Sequence, residues 1–312
     1  MNAIARFLQD IHYRNFSGIV ELLGGLRTPD RSYALAEILG SLRTRIGYVG
    51  AGWSKEKYLR TIRTVFPEID NSQAEALLKA YWINHQKRFV ELFLIEKLNP
   101  HNLDCLVEFE GLEYLDRALE RGRGVIFPVP HIGNERLHHI ALAVKGYPMA
   151  VISSQYEDHG SFARKVKLGA SLRFHDVGYP GDGLWLLKML KENRILQIAS
   201  DAEAGSNGVI VNFLGQQVLL PTGWARLAIK TEAVVFPSAL LRQKDNRHKL
   251  VILPAYEVCV NGDRNERLKE NVQRYMDIVS QFFLERPDQI DWMNLTVRLD
   301  ETQMRLKSYQ QE

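Results

Sequence analysis

The sequence predicts an α/β fold: a mixed, largely parallel sheet flanked by helices, preceded by a helical N-terminal part. Three observations carry that expectation. Apolar residues recur at three- and four-residue spacing through the first hundred positions, short β-branched runs alternate with amphipathic stretches from about residue 105, and the final fifty positions return to helical spacing. The chain has 312 residues, of which 46% are hydrophobic, enough material for a sizeable core.

The helical period runs through YALAEILGSLRTRIGYV and again through QAEALLKAYWINHQKRFVELFLIEKL. Pro67 and the polar EIDNSQ after it predict a turn and an N-cap in front of the second of these, the helix containing Trp82. Strand signals are almost absent before residue 105. Residues 1–104 are therefore expected to form a helical part packed on an α/β unit of residues 105–312. CLVEFEG then alternates like a strand, LEYLDRALERGRG is amphipathic, and VIFPVP is an apolar run, giving strand, helix, strand. A helix after His131, a strand at PMAVISS, a helix around Phe162 to Leu168, a strand at LRFHDVG, the helix DGLWLLKMLKE and the strand RILQIAS continue the alternation. Such alternation predicts parallel pairing, because a crossover helix brings the chain back to the same edge. After the loop DAEAGSNG, VIVNFLGQQVLL predicts a hairpin turning near Leu214 and Gly215. WARLAIKTE reads as a helix, AVVFPSALLRQ and HKLVILPAYEV as strands around the turn KDNR, and ERLKENVQRYMDIVSQFFLERP as a helix. No internal repeat or low-complexity tract interrupts this order.

A formal charge of +3, with basic residues scattered among acids, gives no support to nucleic-acid binding. The slight basic excess suits an acidic partner such as an acyl carrier protein. Cys105 and Cys259 lie far apart without C-x-x-C spacing and read as half-buried thiols of a reducing compartment. The opening MNAIARFLQDIHYRNFSGIVELLGGL is interrupted by Arg6, Asp10, Arg14 and Glu21, so neither a signal-peptide core nor a membrane span is expected, and the chain is expected to be cytoplasmic. The basic and apolar residues of that segment fit either an amphipathic helix packed on the core or peripheral contact with the inner face of the cell membrane.

GVIFPVPHIGNERLHHIAL is the stretch on which chemistry concentrates. In open α/β sheets reactive groups gather where the carboxyl end of a strand meets the next helix, and His131 falls at such a junction. Gly133 permits close backbone approach, and Asn134 or Gly133 stands near a helix N-cap whose N–H groups would stabilise a developing oxyanion. The positive end of that helix would disfavour an imidazolium and help to hold His131 neutral, ready to take a proton, while a neighbouring carboxylate would oppose that shift but orient the ring. Glu135, four residues on, is the nearest candidate acid; with no Ser or Cys beside the pair, the chemistry indicated is direct general-base transfer onto a hydroxyl or amine. The alternative is a hydrogen-bonded structural histidine, the reading given to His138 and His139. Glu135 and His138 have the E-x-x-H spacing of carboxylate-bridged metal sites, but no second copy accompanies them, so no metal is expected.

The order of segments resembles the lysophospholipid acyltransferase superfamily, in particular the lipid A late acyltransferases. GLEYLDRALERGRGVIFPVPHIGNERL is similar to that family's strand, HFGN-like junction and helix; GDGLWLLKMLKENRILQIASD to its helix and strand ending at an aspartate. GVIVNFLGQQVLLPTGWARLAIKTEAVVFPSALLR is similar to its G-V-x-V-x-F-F-G stretch, threonine-glycine helix start and arginine-terminated strand, and ERPDQIDWMN to its C-terminal segment. The resemblance implies acyl transfer from an acyl carrier protein or coenzyme A thioester to a lipid or small-molecule acceptor, without cofactor or metal. It implies a dyad of histidine, four residues, then an acid. His131 matches, but Arg136 occupies the acid position and Glu135 stands one residue early, a turn of about 100° on a helix. Three arrangements follow: a rearranged His131–Glu135 dyad, an acid from elsewhere such as Asp201 or Glu203, or a site that no longer transfers acyl groups. SSQYED in place of a tyrosine-arginine-proline stretch, and Ala202 after Asp201 in place of glutamine, point to a changed acceptor. Gly133, Asn134, Arg136, Arg164, Asp201, Thr222 and Arg242 form the candidate substrate-binding set. Within it Arg164, with Lys165 and Lys167, would meet phosphate or form a solvated helix face, and Thr222 with Gly223 would cap a helix or present N–H groups to an anion. Trp185 and Trp224 read as core or as the lining of an acyl tunnel.

Overall fold

The structure, a computed structural model, describes residues 29–46, 55–95, 97–153, 172–176 and 182–309. Among the described residues three helices come first: α1 (Pro29–Ile46), α2 (Lys55–Val65) and α3 (Asn71–Ile95). Helix α3 begins where EIDNSQ predicts, through a reciprocal cap: the Gln73 N–H donates to Asp70 Oδ1 and the Asp70 N–H to Gln73 Oε1, both at 2.8 Å. Alternation then follows: β1 (Val107–Glu110), α4 (Leu112–Glu120), β2 (Val125–Val129), α5 (Glu135–Val144), β3 (Met149–Ser153), β4 (Leu172–Asp176), α6 (Asp182–Lys191) and β5 (Ile195–Ala199). The chain continues with β6 (Val209–Phe213), β7 (Gln216–Leu220), α7 (Gly223–Thr231), β8 (Val234–Val235), β9 (Ser238–Arg242), β10 (His248–Ile252), α8 (Arg264–Glu285) and α9 (Trp292–Tyr309). The helix expected around Phe162 to Leu168 lies outside the described residues.

Among the described residues, five strands form an all-parallel sheet in the order β4-β3-β5-β2-β8. Strand β2 lies inside the sheet between β5 and β8 and every residue of it is buried, which accounts for its unbroken apolar sequence. A second sheet, β1-β10-β9, is mixed: β1 runs parallel to β10, and β9 antiparallel to it. Strands β6 and β7 pair as the expected hairpin, turning through Leu214 and Gly215 at φ 51° and 73°. AVVFPSALLRQ is not one strand. It divides at Phe236-Pro237, where proline has no N–H for a ladder, and its halves enter different sheets, β8 the first and β9 the second. One apolar cluster joins Tyr58, Ile62, Leu78 and Trp82 of the first helices to Ile126 and Ile132, to Trp224 of α7 and to Tyr275 and Phe283 of α8. No helix among the described residues is long and apolar enough to cross a membrane.

Candidate active site

The register of the parallel sheet builds the site. Val129 of β2 pairs with Ala199 of β5, so the residues two places beyond each strand, His131 and Asp201, emerge side by side at the carboxyl edge. The Ser200 N–H donates to Val129 O at 3.1 Å, extending the ladder to the brink of the crevice. His131 Nδ1 then lies 2.7 Å from Asp201 Oδ1, and the His131 backbone N–H reaches both carboxylate oxygens at 3.1 and 3.0 Å. An ionised carboxylate only accepts, so Nδ1 carries a proton in either state of the ring, and when the imidazole is neutral the lone pair is on Nε2. The ring is 23% exposed and Asp201 only 7%; among the described residues Nε2 has no hydrogen-bond partner.

The backbone after His131 is fixed on both sides. The Gly133 N–H donates to Gln289 O at 3.1 Å and the Asn134 N–H to Leu240 O at 3.0 Å, while the Asp291 N–H donates to His131 O at 3.0 Å. Gly133 has φ 67°, and a Cβ there would lie 2.0 Å from Leu240 O, so only glycine fits. Asn134 caps α5, its Oδ1 accepting the Leu137 N–H at 3.0 Å. From α3, Arg88 spans the loop: it donates to Gly133 O at 3.3 Å, to Glu135 Oε2 at 3.1 Å and to Asp291 Oδ2 at 3.1 Å.

These charges set the protonation of the site. Burial pushes the His131 imidazole down, but the Asp201 carboxylate, by charge and hydrogen bond, and behind it Glu135 and Asp291, outweigh burial and raise it well above the usual histidine value. Of the two opposing influences expected at His131, the carboxylate therefore prevails over the helix end: a full negative charge at hydrogen-bond distance exceeds a partial positive one. Burial opposes ionisation of Glu135 and Asp291 as well, yet Arg88 holds both below the ordinary carboxylate range. Burial takes His138 the other way, down to about 4; its ring nitrogens meet Gln197 at 2.8 Å and Ser238 at 2.7 Å, the structural role expected of it.

Of the expected site residues, the structure brings His131 and Asp201 together and turns Glu135 away. Glu135 is committed to Arg88 and makes no hydrogen bond to the imidazole, because the one-residue offset points it at α3. Glu203, the other distal acid considered, is exposed. Gly133 and Asn134 are not the oxyanion donors expected, since both N–H groups are committed to carbonyls within the fold. Asn134 Nδ2 donates to Glu91 at 2.7 Å, and Arg242 is engaged by the same Glu91 carboxylate, so both belong to a buried network rather than to a substrate surface. The Thr222 hydroxyl donates to Asn207 O at 3.0 Å and is buried. Arg136 is half-exposed on α5 beside Glu135, and Arg164 lies outside the described residues. Trp224 is core, its ring centroid 4.8 Å from that of Tyr275 in a tilted pair. Sequence reasoning missed Arg88, Glu91, Asp291 and Asn294. A single carboxylate inside the apolar run FVELFLI was the readable sign of Glu91, since a buried acid requires a cationic partner.

Residues 37–299 match the model of the bacterial lipid A biosynthesis acyltransferase family. The chain is also similar to a phosphatidylinositol mannoside acyltransferase of Mycolicibacterium smegmatis, 24% identical over 194 residues that cover 61% of this chain and 64% of that protein. Phosphatidylinositol mannoside acyltransferases of two Mycobacterium tuberculosis strains are 25% identical over 154 residues, 47% of this chain and 49% of theirs. The match therefore spans about half to just under two thirds of the length of these relatives.

Proposed function

The chain belongs to the bacterial lipid A biosynthesis acyltransferase family, and from that premise we propose that it moves an acyl group from an acyl carrier protein or coenzyme A thioester to an acceptor hydroxyl, with His131 as general base and Asp201 as the acid that orients it. The observation that carries this reading is the 2.7 Å contact between His131 Nδ1 and Asp201 Oδ1, which leaves Nε2 as the ring nitrogen available for proton transfer, beyond the carboxyl end of a parallel strand. In the reaction Nε2 takes the acceptor's proton as its oxygen attacks the thioester carbonyl. The tetrahedral intermediate then collapses with cleavage of the C–S bond, and the departing thiolate receives the proton from Nε2. Among the described residues no serine or cysteine hydrogen-bonds His131, which supports direct transfer without an acyl-enzyme. The first-turn Glu135 N–H of α5, with no acceptor among the described residues, is the donor we assign to the oxyanion.

The family and the curated relatives act on lipids by their names, so a lipid acceptor at a membrane surface, at the inner face of the cell membrane, is the substrate class we favour. The altered SSQYED and Asp201-Ala202 positions motivate a second reading, an amide-forming transfer to a smaller amine acceptor. The two differ in product: mass spectrometry distinguishes an O-acyl from an N-acyl bond. The test of the shared claim is an assay of purified protein with acyl-carrier and coenzyme A thioesters against a panel of hydroxyl and amine acceptors. His131→Ala is expected to lower transfer by about 10²- to 10⁴-fold; equal transfer by the variant would refute the role of His131. Tight acyl binding without turnover in the wild type would instead identify a binding protein.

A further inference from the structure

The carboxylate beside His131 is itself held from a separate element. Asn294, in the first turn of α9, places its Nδ2 at 3.1 Å from Asp201 O and 3.2 Å from Asp201 Oδ2. Both partners only accept, so the amide nitrogen must face them; the flipped amide would set an oxygen against the carboxylate. Nδ2 also lies 3.3 Å from His131 Nδ1, a donor against a donor, which keeps the Nδ1 proton directed at Asp201 Oδ1. The position of Asn294 is fixed in turn. Asp291 Oδ1 accepts the N–H groups of Met293 and Asn294 at 3.1 Å each, the Asp291 N–H donates to His131 O at 3.0 Å, and Arg88 holds the other Asp291 oxygen.

We propose that Asn294 is a positioning residue of the acyl-transfer site: by donating to Asp201 it locks the carboxylate with Oδ1 toward Nδ1 of His131, so that Nε2 presents the lone pair. This rests on the reading of His131 and Asp201 as the working pair. Without Asn294, Asp201 Oδ2 keeps, among the described residues, only the shared His131 backbone N–H, and the carboxylate is less restrained against rotating off the ring.

The experiment uses the full chain and Asn294→Ala. It is expected to lower kcat by about 10- to 100-fold, the value of one hydrogen bond to a charged group, with KM changed less than about twofold. In an Asp201→Asn background the same substitution is expected to add less than about twofold, because the two residues act as a unit. Asn294→Asp, isosteric but lacking the donor, is expected to lose as much as Asn294→Ala and covers the case in which alanine perturbs folding. An equal loss in both backgrounds, or full activity of Asn294→Asp, would overturn the proposal. A second readout needs no turnover: the low-field NMR resonance of the His131 Nδ1 proton is expected in the wild type and broadened or lost in Asn294→Ala. If the wild type transfers no acyl group, the functional reading fails while this signal still decides Asn294; an unchanged signal refutes it.

Discussion

The decisive feature at the scale of single residues is that the carboxylate hydrogen-bonded to His131 arrives from beyond a neighbouring strand rather than from the next helical turn. Glu135 and Arg136 together explain why. With arginine where the family pattern has its acid, Glu135 serves Arg88 on α3, and the imidazole takes its carboxylate from Asp201. The charge on Asp201 has a consequence for pH. A raised His131 is an imidazolium at low pH and cannot accept a proton, so kcat/KM should rise with pH through an apparent value above the ordinary histidine value of about 6.5. Asp201→Asn removes the largest raising influence and leaves burial opposed only by the charges of Glu135 and Asp291, so the limb should move to lower pH while the maximum falls. Rate profiles from pH 5 to 10 would check both the direction and the shift.

At the scale of elements, much of the site was legible and some was not. The strand ending at His131 and the strand ending at Asp201 can each be read from their apolar runs. Their adjacency cannot, because β3 and β4 intervene in the chain and only the sheet order places β5 beside β2. Asp201 was therefore one of several acids until the register fixed it. The division of AVVFPSALLRQ was marked by Pro237, and the hairpin by Leu214-Gly215. Asn294 was opaque, since a polar residue in the first turn of a helix gives no sign of what it faces. The 131–134 loop is held between the segment before α9 and β9, so its conformation depends on Gly133. Gly133→Ala should force the loop from Leu240, lowering the melting temperature and reducing kcat by about 10²-fold, the order expected of a 1 Å misplacement. Thermal unfolding and single-turnover rates would measure the two effects.

The whole molecule is tied together by a second charged cluster beneath the site. Glu91 of α3 is fully buried, accepts from Tyr33 of α1 at 2.9 Å and Asn134 Nδ2 at 2.7 Å, lies 2.8 Å from His248 of β10, and pairs with Arg242 of β9. The first helices, the mixed sheet and the capped start of α5 thus meet on one carboxylate. Burial disfavours its charge, but Arg242 and His248 outweigh burial and hold Glu91 below the usual carboxylate range. A depressed folded-state value stabilises the fold above the unfolded value and loses that contribution as pH falls. Glu91→Gln should therefore cost about 3–5 kcal/mol at neutral pH by leaving Arg242 buried without a counter-charge. The deficit should be constant above about pH 5 and narrow below it; urea unfolding across that range tests the sign.

The central claim is that His131 works with Asp201 and not with Glu135. Side-by-side measurement of kcat for acyl transfer by Asp201→Asn and Glu135→Gln addresses it most directly. The expected result is a loss of about 10²- to 10⁴-fold for Asp201→Asn and no more than about tenfold for Glu135→Gln. A larger loss in Glu135→Gln, with Asp201→Asn near wild type, would contradict it.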